Sequence, residues 1–311
     1  MTKNTKRNYG YGRSLNFAAK QALKEYKGER YSANASHLAR FSRFVVFCKK
    51  HQTTNAVYIT QTLFELYANV IENRVNAGNL STAYAHNLIS SVNVVMYAFR
   101  RDKSIWLSPL SVFGPRNHVR QIAPNMSLIA VRLACREIQS KYSNELALIV
   151  WLARILGLRL KEAILLDAKE ALKQAKKYNY VDIRKGTKGG RGKKCARLIE
   201  VDKRIVFALE LAVIVQDKRS SFIPDNEKLI TFYRRIHRHV LPTLKKYEIE
   251  KIHDLRAAYA CSEYEKEVGI EAPVISGTKV KKTAEVKEQL EKVSNKLGHS
   301  REYVIDSYCG R

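Results

Sequence analysis

The stretch NELALIVWLARILGLRLKE, residues 144–162, joins a long apolar segment to a charged end that a glycine interrupts. Residues 144–156 are apolar nearly all round, which is typical of a helix buried on every side. Gly157 stands where such a helix would end, and Arg159 and Glu162 follow directly. The stretch therefore predicts a central buried helix with a charged pair beyond its carboxyl end.

Helical patterns extend on both sides of this stretch. Within residues 32–104, apolar side chains recur at intervals of three and four, Ser36 and Ser81 stand in helix-capping positions, and Gly78 marks a helix end. Further helical patterns cover residues 15–27, 203–217, 226–247, 253–267 and 284–297. The sequence thus predicts a mainly α-helical protein.

One short segment has the pattern of a β-hairpin. YVDIR at 180–184 and ARLIEV at 196–201 alternate in polarity as strands do, and KGTKGGRGKK at 185–194 lies between them. Glycine and basic residues dominate this connection. We expect a two-stranded hairpin with a flexible, cationic tip.

The charge balance limits the function classes. The chain has 56 Lys and Arg against 29 Asp and Glu, a formal net charge of +27. So many positive charges repel one another in a compact chain, and binding to a polyanion would neutralise them. Nucleic acid is the first candidate for this polyanion and an anionic membrane surface is the second.

The sequence shows no sign of a membrane or secreted protein. No run approaches the about 18 apolar residues of a membrane span, and the basic N-terminus lacks the apolar region of a secretory signal. The five scattered cysteines form no CxxC pair, which argues against a disulfide framework or a cysteine zinc site. We expect a cytoplasmic protein, associated with the nucleoid when it acts.

Composition divides the chain into four predicted segments. These are a basic N-terminal segment at 1–31, an all-helical domain at 32–104, a basic linker at 105–125 and a mostly helical segment with one β element at 126–311. Basic side chains on polar faces and in the linker are expected to contact DNA, although such runs are often only solvated faces. The predicted DNA-binding residues are Arg43, Lys49, Lys50, Arg116, Arg120 and Lys188.

Four signals in the last segment carry residue types suited to phosphate chemistry. They are GLRLKE at 157–162, the hairpin tip with Lys185, HDLR at 253–256 and LGHSREYVIDSY at 297–308. Guanidinium groups hold a phosphate through several N–H bonds and stabilise charge that grows on its oxygens. Histidine moves protons, lysine protonates a leaving oxygen, and a tyrosine hydroxyl near cations is a covalent nucleophile. The set predicts phosphoryl transfer.

No metal or other cofactor is expected for this chemistry. The sequence has no Asp-rich cluster suited to Mg²⁺ and no GxxxxGK[ST] loop for ATP. The run RRIHRH at 234–239 brings His237 and His239 together, but no third ligand accompanies them, which favours a solvated or phosphate-facing helix.

The order of the four signals resembles the tyrosine recombinase, or phage integrase, family. GLRLKE matches the family's GLRxxE, Lys185 with Gly186 matches its hairpin lysine, HDLR matches HxLR, and LGH at 297–299 precedes a tyrosine nine residues after its histidine. The resemblance implies the catalytic set Arg159, Lys185, His253, Arg256, His299 and Tyr308, with Glu162 orienting Arg159 or His253. Lys188 is the alternative hairpin lysine, and Tyr303 and Tyr264 are the rival nucleophiles.

The resemblance also implies a fold and an activity. The fold is mainly α, with a helical core-binding (SAM-like) DNA-binding domain at 32–104 and a mostly helical catalytic domain with a small β-hairpin at 126–311. The two domains together would form a C-shaped DNA clamp. The tyrosine attacks a phosphodiester of double-stranded DNA and forms a 3′-phosphotyrosyl link. Four protomers exchange strands at specific sites through a Holliday junction, with an accessory directionality factor as a further partner. This chemistry serves integration or excision of a mobile element.

Two alternatives use the same fold differently. A type IB topoisomerase-like enzyme would relax DNA with the same chemistry and no strand exchange. A non-catalytic DNA-binding protein would keep the fold alone, but the complete set of motif residues argues against it. Residues 274–292 have the appearance of an insertion for this family, and we expect an assembly or DNA-contact role for them.

Overall fold

The computed structural model describes residues 6–187, residue 192 and residues 195–311 of the chain. It divides into two compact units, Met1–Asn117 and His118–Arg311. The boundary falls inside residues 105–125, which the sequence predicts to be a linker, so these residues are shared between the units.

The first unit is built of helices. They are α1 (Leu15–Lys27), α2 (Tyr31–Lys50), α3 (Gln61–Asn76), α4 (Thr82–Arg100) and α5 (Pro109–Phe113), with 3₁₀ turns at Arg7–Gly10 and Ala56–Tyr58. The side chains of Thr60 and Ser81 accept hydrogen bonds from the first turns of α3 and α4, as helix caps do. Phe41, Phe44 and Phe64 lie at the centre of its core. Helix α1 contributes its apolar face to that core, so part of the predicted basic segment 1–31 is packed within the unit.

The second unit contains ten helices and one hairpin within the described part of the chain. Its helices are α6 (Leu128–Lys141), α7 (Asn144–Ile155), α8 (Leu160–Ile164), α9 (Ala168–Tyr178), α10 (Lys203–Gln216), α11 (Leu229–Lys246), α12 (Ile252–Val268), α13 (Pro273–Ser276), α14 (Ala284–Lys296) and α15 (Asp306–Cys309), with a 3₁₀ turn at Glu302–Ile305. The buried residues of α7, such as Ile149 and Leu152, lie in the core of this unit, as its apolar sequence predicts.

The predicted hairpin is present as two short antiparallel strands. They are β1 (Tyr180–Asp182) and β2 (Leu198–Glu200), and Val181 lies opposite Ile199 with both side chains buried. The described structure is 66% helical with this one small sheet, which confirms the mainly α fold class. Within the described ranges, no helix has both the length and the apolar composition to cross a membrane.

Candidate active site

A sharp turn after α7 begins the site. Gly157 has a φ of +58°, in the left-handed region that favours glycine, and a Cβ at this position would lie 2.2 Å from the ring of Tyr259. Its carbonyl oxygen accepts hydrogen bonds from the guanidinium groups of Arg197 and Arg256. The turn therefore presents a backbone acceptor to two arginines and leads directly into Arg159.

Arg256 joins three separate parts of the chain. Its guanidinium is fully buried and donates to the carbonyl oxygens of Gly157 and Leu297. Its Nε donates to the hydroxyl oxygen of Tyr308 at 3.2 Å. Burial and the nearby charge of Arg197 lower the pKa of Arg256 to about 10, which still leaves the group charged at neutral pH.

Glu162 is the buried carboxylate at the centre of these arginines. It is fully buried, and its oxygens lie 2.7 Å from Arg159 Nη1, 2.6 Å from Arg197 Nη1 and 3.6 Å from Arg256 Nη1. Burial opposes ionisation, but the charges of these three arginines outweigh it and hold the pKa of Glu162 below its usual value. Glu162 Oε2 also accepts a hydrogen bond from the backbone N–H of Arg159, and this bond fixes the start of α8. Glu162 thus contacts both the side chain and the backbone of Arg159, and its role in orienting that arginine stays a prediction.

The Tyr308 hydroxyl lies between Arg256 and His299. Its oxygen is 3.3 Å from His299 Nε2, and that nitrogen is 2.9 Å from Arg159 Nη2. A guanidinium can only donate, so His299 Nε2 is the acceptor in its contact with Arg159. Tyr308 is only 4% exposed, whereas the rival Tyr303 is 53% exposed and bonds to Arg301.

His253 lies beside the tyrosine ring. The ring centroids of His253 and Tyr308 are 5.5 Å apart. Loss of hydration and the charges of Arg256 and Arg159 lower the pKa of His253 to about 4, so the imidazole is neutral at pH 7. His253 and Arg256 are three positions apart on α12, and both face the site.

Lys185 is not brought to this cluster. Its Nζ lies 3.2 Å from an Asp167 carboxylate oxygen and 3.5 Å from the Ser220 carbonyl, and about half of the side chain is exposed. The predicted DNA-contact residue Lys188 lies outside the described residues. The other members of the catalytic set, Arg159, His253, Arg256, His299 and Tyr308, are together in the structure.

A cleft of about 300 Å³ opens beside the cluster. Arg159, Arg197 and His299 form one part of its lining, and Thr187 and Cys195 from the hairpin form another. The cleft therefore gives a phosphate-sized group access to Arg159 and His299 from the side of the cationic hairpin.

Arg197 is a site residue that none of the four sequence signals includes. It is 3% exposed, its Nε donates to the Lys296 carbonyl at 2.7 Å, and its methylene groups fill the space that a Cβ on Gly298 would need. Gly298 has a φ of +67°, so this turn too favours glycine. A signal was available: successive residues of a strand alternate faces, so Arg197 shares the face of buried Ile199.

The predicted DNA-binding residues have different surroundings. Arg43 is exposed on α2 with its guanidinium 5.5 Å from the Tyr84 ring centre, and Lys49 and Lys50 are exposed at the end of the same helix. Their role in DNA binding stays a prediction.

The two arginines of the predicted linker both have protein partners. Arg116 donates to the Asn87 side chain at 3.3 Å within the first unit. Arg120 forms an ion pair with Asp254 at 2.8 Å in the second unit, and its backbone N–H donates to the Asp306 carbonyl. Both side chains therefore have protein acceptors in the described structure, and the DNA-binding role predicted for them stays a prediction.

No group of three or more His, Cys, Asp or Glu side chains suited to a metal ion occurs in the part of the chain that the structure describes. The two histidines of the RRIHRH run face different aromatic rings. His237 lies 5.0 Å from Tyr233 and His239 lies 4.7 Å from Tyr142, between ring centroids.

Comparison with known proteins gives one family match. Residues 126–262 match the family model described as Integrase. All of the matched residues lie in the second unit. The resemblance to tyrosine recombinases found in the sequence is thereby confirmed, and site-specific recombination of DNA is the activity of that family.

Solved structures with this fold include recombinases bound to DNA. A lambda integrase dimer on a core site has a TM-score of 0.57 at 13% identity, covering 93% of this chain and 95% of that chain. XerH on a palindromic difH substrate has a TM-score of 0.57 at 15% identity, covering 93% and 80%. A lambda integrase tetramer on a Holliday junction has a TM-score of 0.53 at 13% identity, covering 90% and 72%. Likeness at these identities shows the fold. Among curated proteins, none matches this sequence.

Proposed function

We propose that this integrase-family chain is a site-specific tyrosine recombinase that cleaves and rejoins double-stranded DNA with Tyr308 as its nucleophile. The observation that carries the proposal is the position of the Tyr308 hydroxyl, 3.2 Å from Arg256 Nε and 3.3 Å from His299 Nε2. A buried phenol with a cation on one side and a proton acceptor on the other suits attack on phosphorus.

The proposed reaction conserves the phosphodiester energy. The Tyr308 oxygen bonds to phosphorus, the bond from phosphorus to the 5′-oxygen breaks, and a 3′-phosphotyrosyl link remains. The phenolic proton passes to His299 Nε2, and the departing 5′-oxygen takes a proton from Lys185. Attack by a second 5′-hydroxyl reverses these steps on a new strand, so the reaction needs neither ATP nor a metal.

Arg159 and Arg256 would stabilise charge on the phosphoryl oxygens, with His253 as a further hydrogen-bond donor. In the DNA-free state Arg159 bonds to His299 at 2.9 Å. Phosphate oxygens would replace that contact, because they offer the guanidinium a charged acceptor. Lys185 would leave Asp167 when the cationic hairpin meets DNA, since phosphate competes for the same ammonium group.

We further propose that four protomers act on two DNA sites through a Holliday junction. This assembly rests on the shared fold with the lambda integrase tetramer described above. Integration or excision of a mobile element, with an accessory directionality factor, is the biological role that such an enzyme would serve in the cytoplasm.

Covalent trapping on DNA of random sequence tests the proposal. The protein is incubated with nicked suicide duplexes that carry a randomised core, and SDS-resistant adducts are isolated and sequenced. We expect an enriched DNA sequence and a nucleotide-bearing peptide that contains Tyr308, with equal yield in EDTA. An adduct on another tyrosine, or no adduct with any duplex, would refute the assignment. Relaxation of supercoiled DNA by a monomer, without strand exchange, would favour the topoisomerase alternative.

A further inference from the structure

The segment 273–283 contacts the short helix that carries Tyr308 at two points. Lys282 Nζ lies 2.7 Å from Asp306 Oδ1, and the two side chains are 23% and 13% exposed. At the other end of the helix, a Cβ on Gly310 would lie 2.8 Å from the backbone nitrogen of Val274. The segment therefore touches the chain on both sides of Tyr308.

Helix α15 depends on such contacts for its position. It has four residues, a single turn, and so short a helix has little stability of its own. The Asp306 carboxylate at its start is largely buried, and a carboxylate in that state needs a partner of opposite charge. Lys282 is the residue that pairs with it in the described structure.

Neighbouring contacts fix the same turn from other directions. The Asp306 carbonyl accepts the backbone N–H of Arg120 at 2.9 Å, and the Tyr308 carbonyl lies 3.7 Å from the Cys261 sulfur. The first bond joins two backbone atoms and would survive most substitutions, whereas the second is donated by the Cys261 side chain on α12. Among the contacts that segment 273–283 makes with α15, the ion pair of Lys282 is therefore the one that a side-chain substitution can remove.

We propose that segment 273–283 is a strap that holds α15 against α12 and keeps the Tyr308 hydroxyl on Arg256, with Lys282 as the positioning residue. The inference rests on the proposed function, since docking matters only if Tyr308 is the nucleophile. The cleavage rate then depends on the fraction of molecules with α15 docked, whereas DNA affinity does not.

Three variants test the strap. Lys282→Met removes the charge and keeps the chain length, Asp306→Asn removes its partner, and Lys281→Met removes an exposed charge one position away as the matched control. We expect Lys282→Met and Asp306→Asn to lower single-turnover cleavage on the trapped duplex by roughly fivefold to tenfold, the scale of one partly buried ion pair. The DNA dissociation constant of Lys282→Met should stay within about twofold of that of the control, because both variants lose one positive charge.

A charge exchange separates positioning from general loss of structure. The double variant Lys282→Asp/Asp306→Lys should recover most of the cleavage rate, because the pair is restored with opposite polarity. Hydrogen exchange of residues 302–311, measured on the full chain without DNA, should be faster in Lys282→Met than in Lys281→Met and slow again in the double variant.

Different results would contradict the strap and the proposed function. Equal exchange and equal cleavage in Lys282→Met and Lys281→Met would overturn the strap, as would a loss of DNA affinity that accounts for the whole effect of Lys282→Met. Absence of any covalent adduct from the wild-type protein would refute the proposed function instead, and the exchange measurement would still report whether the strap holds α15.

Discussion

Arg256 Nε lies 3.2 Å from the Tyr308 hydroxyl oxygen, although 52 positions separate the two residues. The guanidinium is fully buried, and its other nitrogens are used by the backbone of two further segments. The arginine therefore has little freedom to move. A fixed cation beside a phenol stabilises the phenolate as the proton leaves.

Tyr308→Phe is expected to abolish the covalent protein–DNA adduct while DNA binding stays near the wild-type value. Only one hydroxyl is lost, and the ring keeps its contacts with His253. Adduct formation on SDS gels and DNA affinity by fluorescence anisotropy measure the two properties. Tyr303→Phe is the matched control, since its hydroxyl is exposed and bonds to Arg301, and it should cleave normally. Persistent adduct in Tyr308→Phe would remove this residue from its role.

Glu162→Gln is expected to lower the free energy of unfolding by about 3–5 kcal/mol, because buried arginines lose the charge that compensates them. Urea unfolding followed by circular dichroism measures the change. Glu288→Gln is the control: its carboxylate is 70% exposed and pairs with Lys292, so the expected change is at most about 1 kcal/mol. Similar effects in the two variants would contradict the central role of Glu162.

Gly157→Ala is expected to disrupt the site more than Gly269→Ala does. Both glycines have positive φ, +58° and +79°, so both substitutions strain the backbone by about 1 kcal/mol. Only at Gly157 does the new methyl group also meet a side chain, the ring of Tyr259, whereas no atom lies within 4 Å at Gly269. Gly157→Ala should therefore have both a lower melting temperature and a lower cleavage rate than Gly269→Ala. Equal melting temperatures would show that the ring moves aside freely.

His253 links DNA binding to pH. Its pKa is about 4 in the DNA-free protein, below the ordinary value of 6.5, and a bound phosphate would raise it. Proton uptake then accompanies binding, so affinity should rise as the pH falls through the pKa of the bound state and level off near pH 4. Anisotropy titrations between pH 5 and 8 measure this slope. His253→Gln should flatten it, and an unchanged slope in the variant would assign the proton to another group.

The sequence predicted the parts of this protein that depend on local pattern. Helix α7 was predicted at 144–156 and is observed at Asn144–Ile155. The two strands predicted at 180–184 and 196–201 are present, but each is shorter than predicted, at Tyr180–Asp182 and Leu198–Glu200. These elements follow from periodicity and turn residues, which a single sequence displays. Tyr308 and His299 were instead proposed from the resemblance to tyrosine recombinases, through LGH at 297–299 and a tyrosine nine residues after the histidine.

Pairings between residues that are distant in the chain could not be predicted from the sequence. Arg120 was predicted to bind DNA, yet it pairs with Asp254, 134 positions away. Arg197 has no motif of its own, and only the fold shows that it meets Glu162. In a chain with many basic residues, the few that stabilise the fold cannot be identified from the sequence, because a buried guanidinium and a solvated one carry the same charge.

The carbonyl bonds of Arg256 have a practical consequence for the design of inhibitors from this chain. An arginine that ties Gly157 to Leu297 acts as a cross-link in addition to its proposed role in cleavage, so we expect its removal to loosen the domain that is proposed to bind DNA. A dominant-negative subunit, one that joins an assembly and blocks it, must stay folded and keep its grip. It should therefore be made at the tyrosine oxygen, and the guanidinium should be left intact.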